Sequence, residues 1–263
     1  MKILLSLLMT ISVIYANVYY SKVEPYEIRK ISSNVVGVVL FSNENMIGEK
    51  LTTNAYIKID SKLDRDDLRF TNEKLEYSKS TVKMNESILN NLEASLNKKR
   101  ENYKKVQALK IKSSIEKDKE FYDLVASENS FLATQKEINS LKTQISDLEL
   151  RKAQLQRSIS DKSLNAKGYI LYELNVKVGE VVNKGTPLAT LLDTSKALLT
   201  IFLNEEDVKE AKNKTVFING NKTEYKISRL LNIADSKNIS KYMAQIVIES
   251  PEIFSKLVKI ELR

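Results

Sequence analysis

The sequence predicts an α+β fold: a long antiparallel coiled-coil hairpin set inside a divided β unit, with a small β-barrel after it. Three observations predict this. A seven-residue apolar repeat runs from about 61 to 163 without a glycine or a proline. Two glycine-marked strand segments of matching spacing flank that repeat. A series of short apolar runs with one acidic-headed helical turn then fills the C-terminal part. A sustained heptad with charges between its apolar positions is a coiled-coil pattern, and short alternating runs separated by turn residues are strands.

Residues 1–16 read as a signal peptide. Lys2 gives a positive start, Ile3 to Tyr15 is apolar apart from Ser6, Thr10 and Ser12, and Ala16 is a small residue at a cleavage point. Such a run is short for a membrane span, which needs about 20 residues. Cleavage would leave Asn17 or a neighbour as the mature N-terminus; an uncleaved anchor is the alternative. Either way the rest of the chain is exported. Residues 17–60 read as an N-terminal strand segment with the first half of the β unit. Val35, Val36, Val38, Val39, Leu40 and Phe41 surround Gly37, and Ile57 and Ile59 alternate with Lys58 and Asp60.

Residues 61–163 form the hairpin. Leu68, Leu75, Val82, Leu89, Leu96 and Tyr103 recur every seventh residue, as do Leu124, Phe131, Ile138 and Ile145, with Lys152 before Ile159. Leu141, Leu148 and Leu155 add a second seam to the later series. The phase fails between Tyr103 and Leu124. Within that gap Ser113 and Glu116 have the spacing of a capping box, so a second helix starts there. Ser61 with Asp64 offers a similar cap for the first. A break near Lys112 leaves two arms of about 50 residues, roughly 75 Å each. Equal arms suit an antiparallel pair. The first arm carries Thr71, Ser78, Asn85 and Lys99 where the second has leucines. Either its seam is simply weakly apolar, or that face meets other subunits or water.

Residues 164–194 repeat the first β segment. Gly37 to Gly48 and Gly168 to Gly179 are both eleven residues, an offset of 131. Each second glycine is followed by Glu, at 49 and 180, then by an apolar residue, Leu51 or Val182. Ile57 and Leu188 lie nine residues past those glycines, and the copies close on Asp60 and Asp193. Each Gly48 and Gly179 turn calls for positive φ, and the two segments are expected to pair into one unit. Residues 195–263 read as the barrel. Strand candidates are Leu198–Leu203, Val216–Ile218, Tyr225–Leu231, Met243–Ile248 and Leu257–Leu262, with an Asn219-Gly220 hairpin turn and a helical turn at Glu205 to Val208.

Composition removes several functions. The chain has no Cys and no His, so thiol chemistry, lipobox acylation, a Ser-His-Asp arrangement and nearly all zinc or copper sites are excluded. No catalytic or cofactor-binding residues are expected, and the chain does not read as an enzyme. Met46, Met84 and Met243 are scattered, which gives no metal cluster. The net charge of +8 lies on mixed Lys and Glu faces, densest near Lys98 to Lys105, with no nucleic-acid recognition motif.

The half-motif Val178-Gly179-Glu180-Val181-Val182-Asn183-Lys184-Gly185-Thr186-Pro187-Leu188, its degenerate copy around Ile47-Gly48-Glu49, and the hairpin nested between them resemble the periplasmic adaptor family. These are the HlyD-like membrane fusion proteins of tripartite efflux and secretion systems. The resemblance covers nearly the whole chain after residue 16. It implies a split lipoyl-like β-sandwich, with the β-barrel domain following it. It implies a non-enzymatic adaptor, periplasmic and associated with the inner membrane. The implied partners are an inner-membrane transporter of RND or ABC class, a TolC-like outer-membrane duct, and further copies of the chain in a ring or tube. The family's Arg, Leu, Ser set at the hairpin tip falls here on Lys105, Leu109 and Glu116. Only Leu109 matches by identity, and Ser113 lies close by. The membrane-proximal domain of many adaptors is expected to be absent, since the chain stops at Arg263. Two other functions stay open. An exported coiled-coil scaffold or adhesion-like protein would explain the heptads but not the glycine repeat. A biotin or lipoate carrier would need a modifiable Lys where the hairpin sits.

Overall fold

The computed structural model describes residues 17–235, 238 and 240–263. The expected signal peptide at 1–16 lies outside the described residues. In chain order the elements are β1 (Val18–Ser32), β2 (Gly37–Ser42), β3 (Ile57–Ile59), α1 (Lys62–Ala108), α2 (Ser114–Asp161), β4 (Ser163–Leu164), β5 (Ile170–Leu174) and β6 (Val181–Val182). Then come β7 (Pro187–Leu203), α3 (Glu205–Val208), β8 (Val216–Ile218), β9 (Asn221–Lys222), β10 (Ile227–Ala234), β11 (Tyr242–Glu249) and β12 (Leu257–Leu262). Two long helices therefore sit within antiparallel sheets. Among the described residues no helix is long and apolar enough to cross a membrane.

Both halves of the sequence repeat contribute to one core. Val39, Leu51, Tyr56, Ile57 and Ile59 from the first pack with Leu171, Val176, Val182, Leu188 and Leu191 from the second. The repeat is visible in the hydrogen bonds. Gly48 N–H donates to Leu171 O at 2.8 Å, and Gly179 N–H donates to Val39 O at 2.8 Å. In return, Leu171 N–H reaches Glu49 O at 3.2 Å and Val39 N–H reaches Glu180 O at 2.9 Å. Each half thus ties its turn to a strand of the other. Both turn glycines have positive φ, 86° and 91°. The parallel stops at the first glycine of each copy. Gly168 has φ 92° in a turn, whereas Gly37 lies in β2, where an added Cβ would stand 2.7 Å from Ile59 Cγ2. The two positions share a residue type for different reasons.

The second core gathers Val23, Leu199, Ile201, Leu203, Val216, Ala244, Ile246, Ile260 and Leu262. Its sheet runs β10-β11-β7-β1-β12-β8-β9. Among the described residues no pairing joins β9 back to β10, so the sheet wraps a core without a closed ladder. Asn219 and Gly220 turn β8 into β9 with φ of 52° and 83°, the primed-turn geometry. The buried Asp207 of α3 accepts bonds from Tyr19 OH, Asn17 Nδ2 and Lys214 Nζ. Burial opposes its charge, but these donors outweigh burial and hold the carboxyl below its usual range. Burial, aided by the same contact, pushes the Tyr19 phenol up.

Strands β1 and β7 link the two cores. They pair antiparallel from Val23↔Leu199, in the second core, to Ile31↔Ala189, beside the first. The register shifts between Pro25 and Glu27, where β1 leaves one core for the other. β7 is buried at Leu188, Ala189, Thr190 and Leu191 in the first core, opens from Leu192 to Lys196, and alternates buried and half-buried from Ala197 to Leu203 in the second, so one extended strand serves both cores.

The hairpin arms have 47 and 48 residues, about 70 Å each at helical rise. Ion pairs between the arms fix their alignment: Asp67–Arg151 at 2.9 Å, Lys79–Glu149 at 3.0 Å, Glu86–Lys142 at 3.0 Å and Arg100–Glu128 at 2.6 Å. All are exposed, so each contributes only about 0–1 kcal/mol. Leu75, Val82, Leu96, Ile138 and Leu155 carry the buried seam. The expected Ser61 cap does not form. The Ser61 side chain makes no capping bond; Asp60 Oδ1 instead accepts from Lys62 N at 2.9 Å. Asp64 reaches across to Ser158 Oγ and Lys162 Nζ, at 2.5 and 3.0 Å, and so ties the two arms at their base.

The polar seam of α1 faces α2. Thr71 and Asn85 are buried in the hairpin itself, so the seam is weakly apolar rather than turned outward. The Asn85 Nδ2 group is buried and finds no acceptor among the described residues. An unpaired buried donor costs about 1–3 kcal/mol. Asn85→Leu should therefore stabilise the hairpin by about 1–2 kcal/mol. Urea unfolding followed by circular dichroism measures this; a midpoint at or below that of the native chain would contradict it.

Candidate functional site

The hairpin tip is where the two long helices end and their terminal backbone groups need partners. α1 stops at Ala108. Leu109 is its C-cap, in extended conformation, with its N–H on Val106 O at 3.2 Å. Lys117 Nζ reaches back to Gln107 O at 3.2 Å, which places a cation on a last-turn carbonyl of α1. Ser113 and Glu116 form the expected capping box. Glu116 N donates to Ser113 Oγ at 3.3 Å, and Glu116 Oε2 accepts from Ser113 N at 3.0 Å. Glu116 Oε1 takes Lys112 Nζ at 2.8 Å.

The Lys112 ammonium, the Ser113 N–H and the Ser113 hydroxyl together lower the Glu116 carboxyl to about 2. The folded value lies below the ordinary Glu value of about 4.3. The cap is therefore at full strength above that ordinary value and is lost as pH falls toward about 2. Ser113→Ala should move the Glu116 titration up toward the ordinary range, as read by carboxyl carbon NMR. An unchanged titration would mean that Ser113 does not hold the carboxylate.

Of the four residues singled out in the sequence, the structure joins Ser113 to Glu116 and leaves the other two apart. Lys105 lies in the last turn of α1 and makes no hydrogen bond or ion pair among the described residues. Leu109 sits between the helices, 43% exposed. Both carboxylate oxygens of Glu116 are committed within the turn. Ser113 and Glu116 therefore bond each other within the turn. The exposed side chains around them are apolar and basic. Ile111 is 88% exposed and Ile115 is 79% exposed. Ile115 was missed in the sequence because it falls outside the heptad phase and inside the cap signature. One level below, Tyr103, Phe121 and Tyr122 form a ring cluster, with centroids 5.9 and 5.7 Å apart. Lys104, Lys105, Lys110 and Lys112 surround this surface and are exposed. The tip offers an apolar apex with a cationic rim. Among the described residues no group of metal-binding side chains occurs.

No family model matches the chain, and no curated protein matches its sequence. Solved structures do match. MacA from Actinobacillus actinomycetemcomitans superposes with a TM-score of 0.70 at 15% identity, over 94% of this chain and 78% of that one. The membrane fusion protein Spr0693 from Streptococcus pneumoniae R6 gives 0.57 at 13% identity, over 94% and 98%. A MacA-MexA chimera carrying the Pseudomonas aeruginosa MexA α-hairpin domain gives 0.56 at 14% identity, over 94% and 80%. At these identities the fold is what is held in common, and it extends across both cores and the hairpin.

Proposed function

We propose that this chain, which has the fold of solved membrane fusion proteins, works as a periplasmic adaptor of the HlyD-like kind. It would link an inner-membrane transporter to an outer-membrane exit duct, with several copies arranged as a ring or tube. On this reading residues 17–60 hold an N-terminal strand segment and the first half of a split lipoyl-like β-sandwich, 164–194 its second half, 61–163 the hairpin, and 195–263, joined by the start of β1, the β-barrel domain. The single observation that carries the reading is a hairpin of about 70 Å, rooted in the core made by the two repeat halves and ending in an apolar, basic tip. A linker of that length suits spanning between membranes. Its tip suits a partner with an acidic rim and apolar pockets.

The carrier reading loses support from the same geometry. The position between the two β halves, where a modifiable Lys would stand, is taken by Lys62–Asp161. A scaffold or adhesion-like role leaves the paired β core without a purpose. The test is site-specific photo-cross-linking in cells. A cross-linker at Leu109 should capture a protein of the outer-membrane fraction, and one at Leu132, exposed on mid-hairpin, should not. Capture from both positions, or from neither, would count against a docking tip.

A further inference from the structure

A cleft opens where the root of the hairpin meets the β core. It holds about 450 Å³, within the range of small-molecule sites. One wall is β1, through Arg29 and Ile31. The opposite wall is the end of α2 with β4, through Asp161, Ser163 and Leu164. Tyr56 reaches it from the first core.

Tyr56 sets this cleft apart. It is 1% exposed, yet its hydroxyl makes no hydrogen bond among the described residues. The hydroxyl is not sealed in the protein either, since the sealed, unpaired side-chain group among the described residues is Asn85 Nδ2. Tyr56 lines the cleft, so its hydroxyl opens there. A buried tyrosine hydroxyl ordinarily has a partner, and leaving it without one is costly. Burial pushes the phenol up to about 12, which keeps it a neutral donor at physiological pH. One water would satisfy the hydroxyl but would not fill the cleft, at ~30 Å³ per water.

The other lining groups narrow the occupant. Both charged groups are already paired. Arg29 donates to Glu27 through Nε and Nη2 at 2.7 and 2.9 Å, and Asp161 accepts from Asn34 Nδ2 and Arg157 Nε at 2.9 and 3.0 Å. No charge is left over to attract an ion, so an uncharged molecule fits. Arg29 Cζ stands 4.6 Å from the centre of the Tyr169 ring, and the Arg29 side chain is 48% exposed. The tyrosine covers one guanidinium face and leaves the other open, and an open guanidinium face takes an aromatic ring. Ile31, Leu164, Ala166 and Leu191 add apolar contact.

We propose that this cleft binds an uncharged, planar aromatic molecule that carries a carbonyl acceptor. Its ring extends the Tyr169–Arg29 stack, and its oxygen accepts from the Tyr56 hydroxyl. Because the walls come from α2 and β1, the occupant also braces the hairpin root against the β core. The proposal is independent of the adaptor reading, and its test needs neither a transporter nor a duct.

The probe is 7-diethylamino-4-methylcoumarin, an uncharged aromatic lactone whose emission moves to shorter wavelength in an apolar site. Titrated with the purified chain, it should bind one site with a dissociation constant on the order of 10 μM. Tyr56→Phe should weaken binding about fivefold and leave the melting temperature unchanged, because the lost hydroxyl has no partner in the protein. Arg29→Lys keeps the charge but loses the planar face, and should weaken binding about tenfold. Asn165→Trp, at an exposed position on the cleft, should abolish binding by filling it. Binding that all three variants leave unchanged would put the probe on apolar surface elsewhere and overturn the proposal. Absence of saturable binding to the native chain would mean a cleft filled by water alone, and overturns it too. A lower melting temperature for Tyr56→Phe would mean that the hydroxyl is bonded within the protein, which also defeats it.

Discussion

Leu109→Asp should lower cross-linking to an outer-membrane duct by tenfold or more while leaving the melting temperature of the hairpin unchanged. Leu109 lies after the last residue of α1 and before the first residue of α2, so no helical hydrogen bond depends on its side chain. It is 43% exposed, and the exposed Ile111 and Ile115 lie nearby in sequence at the same tip. Burying an apolar anchor of this size in a partner contributes about 1.5–3 kcal/mol, and each 1.4 kcal/mol is a factor of ten in affinity. A carboxylate there removes that gain. It would also meet an acidic rim, if that is what the tip lysines face. The competing role is local: Leu109 closing the open end of the coil. That role predicts a fall in melting temperature with the substitution. Measuring both quantities on one protein separates the two. A lower melting temperature with unchanged cross-linking would assign Leu109 to the coil and remove the docking role.

Leu171→Ala should destabilise the β core by about 3 kcal/mol, within the 2–5 kcal/mol usual for a fully buried leucine. Leu171 is 0% exposed, and its backbone is bonded to Gly48 and Glu49 of the other repeat half. Its neighbours cannot close on the void, because they are held in strands that come from segments more than a hundred residues apart. Loss should therefore appear in both halves together and loosen the root of the hairpin. The chain has no Trp, so near-ultraviolet circular dichroism of the buried Tyr56 is a suitable report on this core. Leu132→Ala, at a 53% exposed position, should change stability by less than about 0.5 kcal/mol. Equal midpoints for the two variants would contradict the buried role of Leu171.

The sequence by itself determined the elements whose causes are local or periodic. The heptads and the absence of glycine and proline specify two long helices, and the Ser113 to Glu116 signature places the start of the second. The Gly48 and Gly179 turns and the Asn219-Gly220 turn follow from positive φ, which costs glycine little and asparagine not much more. The capping box formed, while the Ser61 cap did not. The difference is tertiary: Asp64 has Ser158 and Lys162 across the hairpin base, and a carboxylate held by those donors is not available to a backbone N–H beside it.

Only the tertiary structure decided what depends on which surface faces which. It turned Thr71 and Asn85 inward against α2, although their polarity allowed either direction. It ran β7 as one strand through two cores, because pairing with β1 continues across the place where composition suggested a boundary. It bound Ser113 and Glu116 to each other within the turn and exposed Ile115 beside Ile111 at the apex. It also left Leu63, Phe70, Tyr77 and Met84, spaced by seven on α1, exposed. A seven-residue period states that a seam exists; which of two seams on one helix is already filled depends on the position of α2, and that is a property of the folded chain.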